Sequence, residues 1–237
     1  MTRILTGGGV KYPILTKAAD SFIPNWKLSV HICNNEKELR SVVKQTQAKS
    51  LLIQEYIKKK DEYILQGISI NGGEDLYIPI EGGYYRLPEG AYGTYLWFRS
   101  HKLGDIDEKL KRMFKTIGYN GVFEIEFLVG EDNQLYFLEI NFRHTLWNHT
   151  FTQMGVNLCK IWSDSIRNGK LITDTAYIKK EPFKLITEFS DFNQSVRTRK
   201  ISFFQWLKDV ICADSHVNYD PKDPLPYIAL IKQMLFK

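Results

Sequence analysis

Residues 121–143, GVFEIEFLVGEDNQLYFLEINFR, hold the side chains with the clearest chemical use in the chain. Two runs of alternating apolar residues flank Gly130-Glu131-Asp132-Asn133, a cluster of turn formers. That is the pattern of a β-hairpin with one buried face. Phe123, Ile125 and Phe127 occupy one face of the first strand, so Glu124 and Glu126 share the other. On the second strand Glu139 and Asn141 share a face, and Arg143 comes next in that row. A hairpin that aligns Glu126, Glu139 and Asn141 offers three hard oxygen ligands to one point. Such a set suits Mg2+, which takes one or two carboxylates and leaves the rest of its shell to water and phosphate. Adjacent carboxylates repel unless a cation lies between them. On patterning alone a solvated polar face accounts for the two acids of the first strand equally well. The tail Glu-Ile-Asn-Phe-Arg, placed directly after an apolar run, favours the metal.

The elements that must position these residues follow from the same kind of reading. Residues 12–17 (YPILTK) form a short apolar strand ending in Lys17, and residues 34–48 a helix capped by Asn34 or Asn35 with Leu39, Val42 and Val43 on its apolar face. Residues 51–57 (LLIQEYI) predict a buried strand, and residues 62–70 alternate into the turn Asn71-Gly72-Gly73 before a strand at 76–80. Residues 82–93, rich in glycine and tyrosine, predict a loop. An amphipathic helix at 106–117 leads into the hairpin, and a helix at 155–168 follows it. This order is α+β, not an alternating parallel sheet. Past residue 170 the pattern gives an aromatic-rich helix at 202–212, a proline-rich turn at 220–226 and an apolar stretch at 227–236 that suits packing on its own domain more than docking on a partner or a membrane surface, but no nameable chemistry.

Composition narrows the class. A chain of 237 residues with 43% apolar residues accommodates one two-lobed domain or two small ones. It has no apolar run of the roughly 18 residues a membrane helix needs. Its start, MTRILTGGGVKYP, lacks the apolar core of a secretory signal, so a cytoplasmic protein is expected. Cys33, Cys159 and Cys212 are odd in number, widely spaced and without a CxxC or histidine partner pattern, which predicts buried free thiols instead of a disulfide framework or zinc site. The net charge of +5 is mild and its lysines are scattered, apart from Lys58-Lys59-Lys60, so no nucleic-acid partner is expected.

With these residues in place, the hairpin resembles the metal-binding end of the ATP-grasp fold, whose second strand closes on E-x-N-x-R. The resemblance implies two α+β lobes with ATP bound between them. Glu126, Glu139 and Asn141 would be the ligands of Mg2+ (or Mn2+), and Arg143 would stabilise the transferred phosphoryl group or the acyl-phosphate. Two more landmarks appear in the family's order. Lys17 is similar to the strand-end lysine that contacts the α- and β-phosphates. Gln54-Glu55-Tyr56-Ile57 resembles the interlobe segment around adenine: Gln54 meets the amino group, Glu55 and Tyr56 offer backbone groups, and Ile57 packs on the base. The carboxylate that holds the ribose hydroxyls falls on Glu62, with Asp61 as fallback.

The resemblance covers roughly residues 12–170, and three departures mark it. The segment after Lys17 has no glycine-rich phosphate loop. Its Trp26-Lys27 pair is closer to the carboxylate–amine ligase branch that includes D-aspartate ligases, which makes Lys27 a second phosphate contact. The chain begins almost at the strand lysine, which predicts that the usual N-terminal domain is absent or supplied by a separate chain. Phe142 stands where proline is common, with its side chain pointing away from the metal. Arg86-Leu87-Pro88, with Gly90, Gly93 and Thr94, is similar to a loop near the transferred phosphate, although an exposed turn fits equally. Glu124 is placed to bind or deprotonate a substrate amine, or to pair with Arg143. Arg99, His101, His144 and His149 are further site groups on composition, each more ordinarily structural.

The expected organisation is therefore a partial lobe at 1–80 with the phosphate lysine and adenine strand, a metal-binding lobe at 81–170, and an extension at 171–237. The expected activity is an ATP- and Mg2+-dependent ligase that joins small-molecule carboxylate and amine substrates through an acyl-phosphate. The alternative is a catalytically incomplete nucleotide-binding or scaffolding remnant of such a ligase.

Overall fold

A computed structural model of the chain describes residues 11–19, 30–46, 48–87, 92–102 and 104–235. Lys27, Pro88 and Gly90, three of the positions singled out above, lie outside the described residues. The chain divides into two compact units, Met1–Lys58 and Lys59–Lys237. Residue 80, the expected end of the first lobe, falls inside a long strand of the second unit, and residue 170 just beyond the end of a helix.

In the first unit β1 (Ile14–Ala18) lies between β2 (His31–Cys33) and β3 (Leu51–Glu55), both antiparallel to it. Helix α1 (Glu36–Gln45) starts where Asn35 accepts a hydrogen bond from the Glu38 amide at 3.0 Å, and the Glu38 carboxylate in turn accepts from the Asn34 amide at 2.8 Å. This reciprocal pairing satisfies amides that the first helical turn leaves without partners. Ile14, Cys33 and Leu39 form the small core of the unit, with Val42 and Val43 against it. Strand β3 departs from expectation: Leu52 and Ile53 are 42% and 41% exposed, so its apolar run is not that of a buried strand. Among the described residues it is an edge strand, paired with β1 alone, and apolar composition alone does not reveal an edge.

The second unit is built on a seven-stranded sheet in the order β10-β9-β6-β5-β4-β7-β8. The strands are β4 (Lys59–Ile70), β5 (Asp75–Arg86), β6 (Tyr95–Ser100), β7 (Gly121–Gly130), β8 (Leu135–Asn141), β9 (Phe183–Ile186) and β10 (Ser215–His216). All neighbours are antiparallel except β9 and β10. Helix α2 (Asp105–Ile117) covers one face, where Leu110 and Phe114 pack on Leu65, Ile78, Phe123, Ile125 and Phe127. Helices α3 (Asn148–Met154) and α4 (Leu158–Asn168) cover the other, where Phe151, Met154, Leu158 and Ile161 meet Ile64, Ile68, Ile80, Leu96, Phe98 and Val122. Each fully buried Phe, Leu or Ile side chain is worth about 1.5–3 kcal/mol. Two cores on opposite faces therefore fix the strand faces firmly, because a register slip of one residue would exchange them.

Three differences from the sequence patterns stand out. Residues 82–86, expected in a loop, continue β5; β6 follows and was not expected. Past residue 170, β9 pairs with β6 and extends the same sheet. Beyond it come α5 (Glu188–Asp191), α6 (Phe203–Cys212) and α7 (Leu225–Leu235), and the Tyr227 ring of α7 packs on Phe189 and Tyr219 of its own unit. Of the three cysteines, expected to be buried, only Cys33 is; Cys159 and Cys212 are exposed. No described helix is long and apolar enough to cross a membrane.

Candidate metal centre

Strands β7 and β8 form the expected hairpin. Its turn closes with the Asn133 amide on the Gly130 carbonyl at 2.9 Å, and Asn133 takes a left-handed φ of 61°. Asparagine tolerates that conformation better than most residues. The register sets Glu124 opposite Asn141 and Glu126 opposite Glu139, then shifts so that Phe127 faces Phe137. Leu138 is the extra residue of this bulge. Directly opposed residues share a face, so Glu124, Glu126, Glu139 and Asn141 lie together, as the alternation predicts. Strand β4 adds to the same face: Gln66 stands opposite Glu124 and Ile64 opposite Glu126, with Glu62 one alternation further along. Phe142 packs on Tyr119 and Phe114 on the opposite side, away from the acids.

Burial across this face is graded. Glu139 and Arg143, on or next to the edge strand, are exposed, Glu126 and Asn141 are half-buried, and Glu124 is only 3% exposed. Both oxygens of Glu124 are engaged. Gln66 Nε2 donates to Oε2, Thr145 Oγ1 donates to Oε2 at 3.1 Å, and Asn141 Nδ2 reaches Oε1 at 3.4 Å. The same Asn141 nitrogen donates to Glu126 Oε1 at 3.0 Å. Burial, followed by the neighbouring Glu126 carboxylate, pushes the Glu124 carboxyl up to about 8. Burial, then Glu139 and Glu62, raises Glu126 as well. Without a cation this face therefore holds a proton it would release to one. Among the described residues no three His, Cys, Asp or Glu side chains form a group able to hold a metal by themselves. The donor set is two opposed carboxylates and one amide oxygen. It fits a hard cation that also takes oxygens from phosphate or water.

The remaining predicted residues divide as follows. Glu62 shares the acidic face and accepts from Lys59 Nζ at 2.8 Å. Arg143 donates to the His144 carbonyl at 3.2 Å, and among the described residues no ion pair joins it to Glu124. Arg86 is tied down elsewhere. Its guanidinium meets both oxygens of Asp191 at 2.8 and 2.6 Å and Asp209 at 2.6 Å, and it stacks over Tyr95 at 4.5 Å. Two carboxylates on one cation leave no surplus charge for a phosphate, so Arg86 serves to fasten β5 to the C-terminal helices. Arg99 and His101 bind Glu81 at 2.6 and 3.0 Å, His144 lies 3.7 Å from the Cys159 thiol, and His149 meets Gln153 at 3.1 Å.

In the first unit Lys17 faces Leu52 and Leu15 faces Gln54 across the β1–β3 ladder, which puts Lys17 and Gln54 on one face two residues apart. Ile14, Thr16 and Ala18, on the other face of β1, are buried. Glu55 pairs opposite Ile14 and so belongs to that second face. The Tyr56 amide donates to the Pro13 carbonyl at 3.3 Å, and Ile57 is half-buried.

Two residues of the acidic face escaped the sequence patterns, Gln66 and Thr145. Gln66 does stand at even spacing from Glu62 and Ile64 on one strand, which is the signal that would have found it. Thr145 carries no such signal, because it arrives from the loop after β8.

Comparison with known proteins bears on the fold. No family model matches the chain. A segment of 109 residues, 46% of the chain, is 27% identical to N5-carboxyaminoimidazole ribonucleotide synthase of Staphylococcus aureus. The chain spans only 29% of that relative's length. Among solved structures, N5-carboxyaminoimidazole synthetase from Staphylococcus aureus superposes with a TM-score of 0.56 at 17% identity, over 80% of this chain and 49% of that one. Biotin carboxylase from Campylobacter jejuni, solved as a β-γ-ATP complex, gives 0.52 at 19% identity, over 71% and 40%. The α+β sheet and these structural neighbours give the chain an ATP-grasp fold.

Proposed function

We propose that the chain carries the nucleotide- and metal-binding part of an ATP-dependent ligase that joins a carboxylate to an amine. The observation that carries this reading is the cross-strand Glu126–Glu139 pair with Asn141 beside it. Like charges directly opposite one another weaken a sheet, and a divalent cation turns that cost into binding. A Mg2+ ion held by Glu126, Glu139 and Asn141 would supply positive charge against the charge that develops on the phosphates during transfer. Glu126 and Glu139 supply its carboxylates and Asn141 an amide oxygen. Within the first unit Lys17 would serve phosphates, and Gln54 with the backbone of residues 55–57 a base; within the second unit Glu62 would serve ribose hydroxyls.

In the reaction a substrate carboxylate oxygen attacks the γ-phosphorus and ADP leaves. The amine nitrogen then attacks the acyl carbon, the acyl carbon–oxygen bond breaks, and phosphate departs carrying the proton lost from nitrogen, leaving an amide. The chain's part is placement and charge: Arg143 stands exposed at the end of the acidic row, where it meets the phosphoryl oxygens. Glu124 has a role different from that of a solvent-facing base. It is buried and accepts three hydrogen bonds, so it supports Asn141 and Glu126 from beneath. The 27% identity to a synthase favours an enzyme over a bare binding module. The test is a phosphate-release screen of carboxylates crossed with amines in the presence of Mg2+ and ATP. Release that requires both partners supports the ligase, and release that requires neither refutes it.

A further inference from the structure

We propose that Gln66 and Thr145 are positioning residues of the metal-binding face, holding Glu124 and through it Asn141 and Glu126 in the arrangement a divalent cation needs. The inference rests on the reading of Glu126, Glu139 and Asn141 as Mg2+ ligands of a nucleotide site.

The geometry forms a chain of bonds that ends at the ligands. Gln66 is 1% exposed and stands directly opposite Glu124. Its Nε2 donates to Glu124 Oε2 and lies 3.4 Å from Thr145 Oγ1. The Thr145 hydroxyl donates to the same carboxylate oxygen at 3.1 Å. On the far side of Glu124, Asn141 Nδ2 spans Oε1 at 3.4 Å and Glu126 Oε1 at 3.0 Å. This matters because an amide ligates a cation only through its oxygen. With Nδ2 committed to two carboxylates, Oδ1 is the end of Asn141 that faces elsewhere. If Glu124 turned, Asn141 would lose one of the two acceptors that fix which end points out.

Gln66 also makes a poor residue for packing alone. Its Oε1 is buried and, among the described residues, has no hydrogen-bond partner. A buried acceptor without a partner is destabilising, a cost that an apolar side chain of similar shape avoids. The donor bond to Glu124 is what the glutamine supplies in return. Thr145 differs in origin. It stands two residues past Arg143, so the segment that carries Arg143 and the support for Glu124 are one piece of chain. Outer partners of metal ligands, when removed, cost about tenfold or more in metal affinity without touching the ion.

The experiment compares ATP binding by calorimetry in Mg2+ and in EDTA for the full chain and for Thr145→Val, Thr145→Ser and Gln66→Met, with a thermal melt of each. Valine keeps the shape of threonine without the donor, and serine keeps the donor with less packing. The expected result is a gain in ATP affinity from Mg2+ that falls about tenfold in Thr145→Val and Gln66→Met, with affinity in EDTA and melting temperature close to the parent. Thr145→Ser should retain the parent's gain. If valine keeps the gain, or serine loses as much as valine, the hydroxyl does not position the site and the inference fails alone. Equal losses in Mg2+ and EDTA likewise overturn it. If the parent shows no gain from Mg2+, the metal reading fails and takes this inference with it.

Discussion

Replacing Glu124 by glutamine should stabilise the metal-free protein, and increasingly so as the pH rises. The folded protein holds the Glu124 carboxyl at about 8, first through burial and then through Glu126, against an ordinary value of 4.5. Between those values the folded chain keeps a proton that the unfolded chain has lost. Stability contributed by this group therefore falls with rising pH, at about 1.4 kcal/mol per pH unit. From 4.5 to pH 7 the accumulated cost is on the order of 3 kcal/mol, and above about 8 it levels off. Glutamine removes that cost. Its oxygen still accepts from Gln66 and Thr145 and its amide can donate to Glu126, at the loss of the long 3.4 Å contact from Asn141. The assay is urea denaturation in EDTA at pH 5, 6, 7 and 8 for parent and Glu124→Gln. The difference in stability should be small at pH 5 and reach about 3 kcal/mol in favour of the variant near pH 7. Parallel pH profiles would refute the reasoning, and so would a variant that is less stable throughout.

Three other outcomes follow from the same structure. Burial alone would raise the Glu81 carboxyl, but Tyr63, Arg99 and His101 outweigh it and hold the carboxyl below its ordinary value. Its stability contribution is thus present above pH 4.5 and lost as the pH falls through the depressed value, so acid titration of Glu81→Gln should show a flatter profile below pH 4.5 than the parent. A Cβ at Gly67, where the β4–β5 register shifts, would lie 2.3 Å from the Tyr77 carbonyl and 2.7 Å from the Phe123 ring. Gly67→Ala should therefore cost about 1–3 kcal/mol in urea denaturation, and an unchanged midpoint would contradict the close approach. Arg143→Ala should leave ATP affinity near that of the parent while single-turnover phosphate release drops at least tenfold, the pattern of a contact made chiefly in the transition state. Equal release rates would remove its catalytic role.

The parts of the fold legible in the sequence are those written in local periodicity. Phe123, Ile125 and Phe127 alternate with Glu124 and Glu126, and that alternation is enough to place the acids on one face. The helix cap at Asn35 and the turn at Asn133 are likewise local. What escaped is set by distant partners. Glu124 looks solvated from its neighbours in sequence, yet Gln66 from β4 and Thr145 from beyond β8 close over it. Arg86 looks like a free cation in a glycine-rich loop, until Asp191 and Asp209 reach it from more than 100 residues away. Strand β3 shows the same limit in reverse: an apolar run says nothing of whether a second neighbour covers it. Strands β9 and β10 are too short for a period to register.

The most direct test of the metal centre is equilibrium ATP binding by calorimetry, in Mg2+ and in EDTA, for the parent and for Glu139→Ala. Glu139 is exposed on an edge strand, so its removal leaves both cores intact. The account predicts that the parent binds ATP more tightly in Mg2+ than in EDTA, and that Glu139→Ala loses most of this difference while keeping its affinity in EDTA. Equal affinity of the parent in Mg2+ and EDTA, or a Glu139→Ala protein that responds to Mg2+ as the parent does, would contradict it.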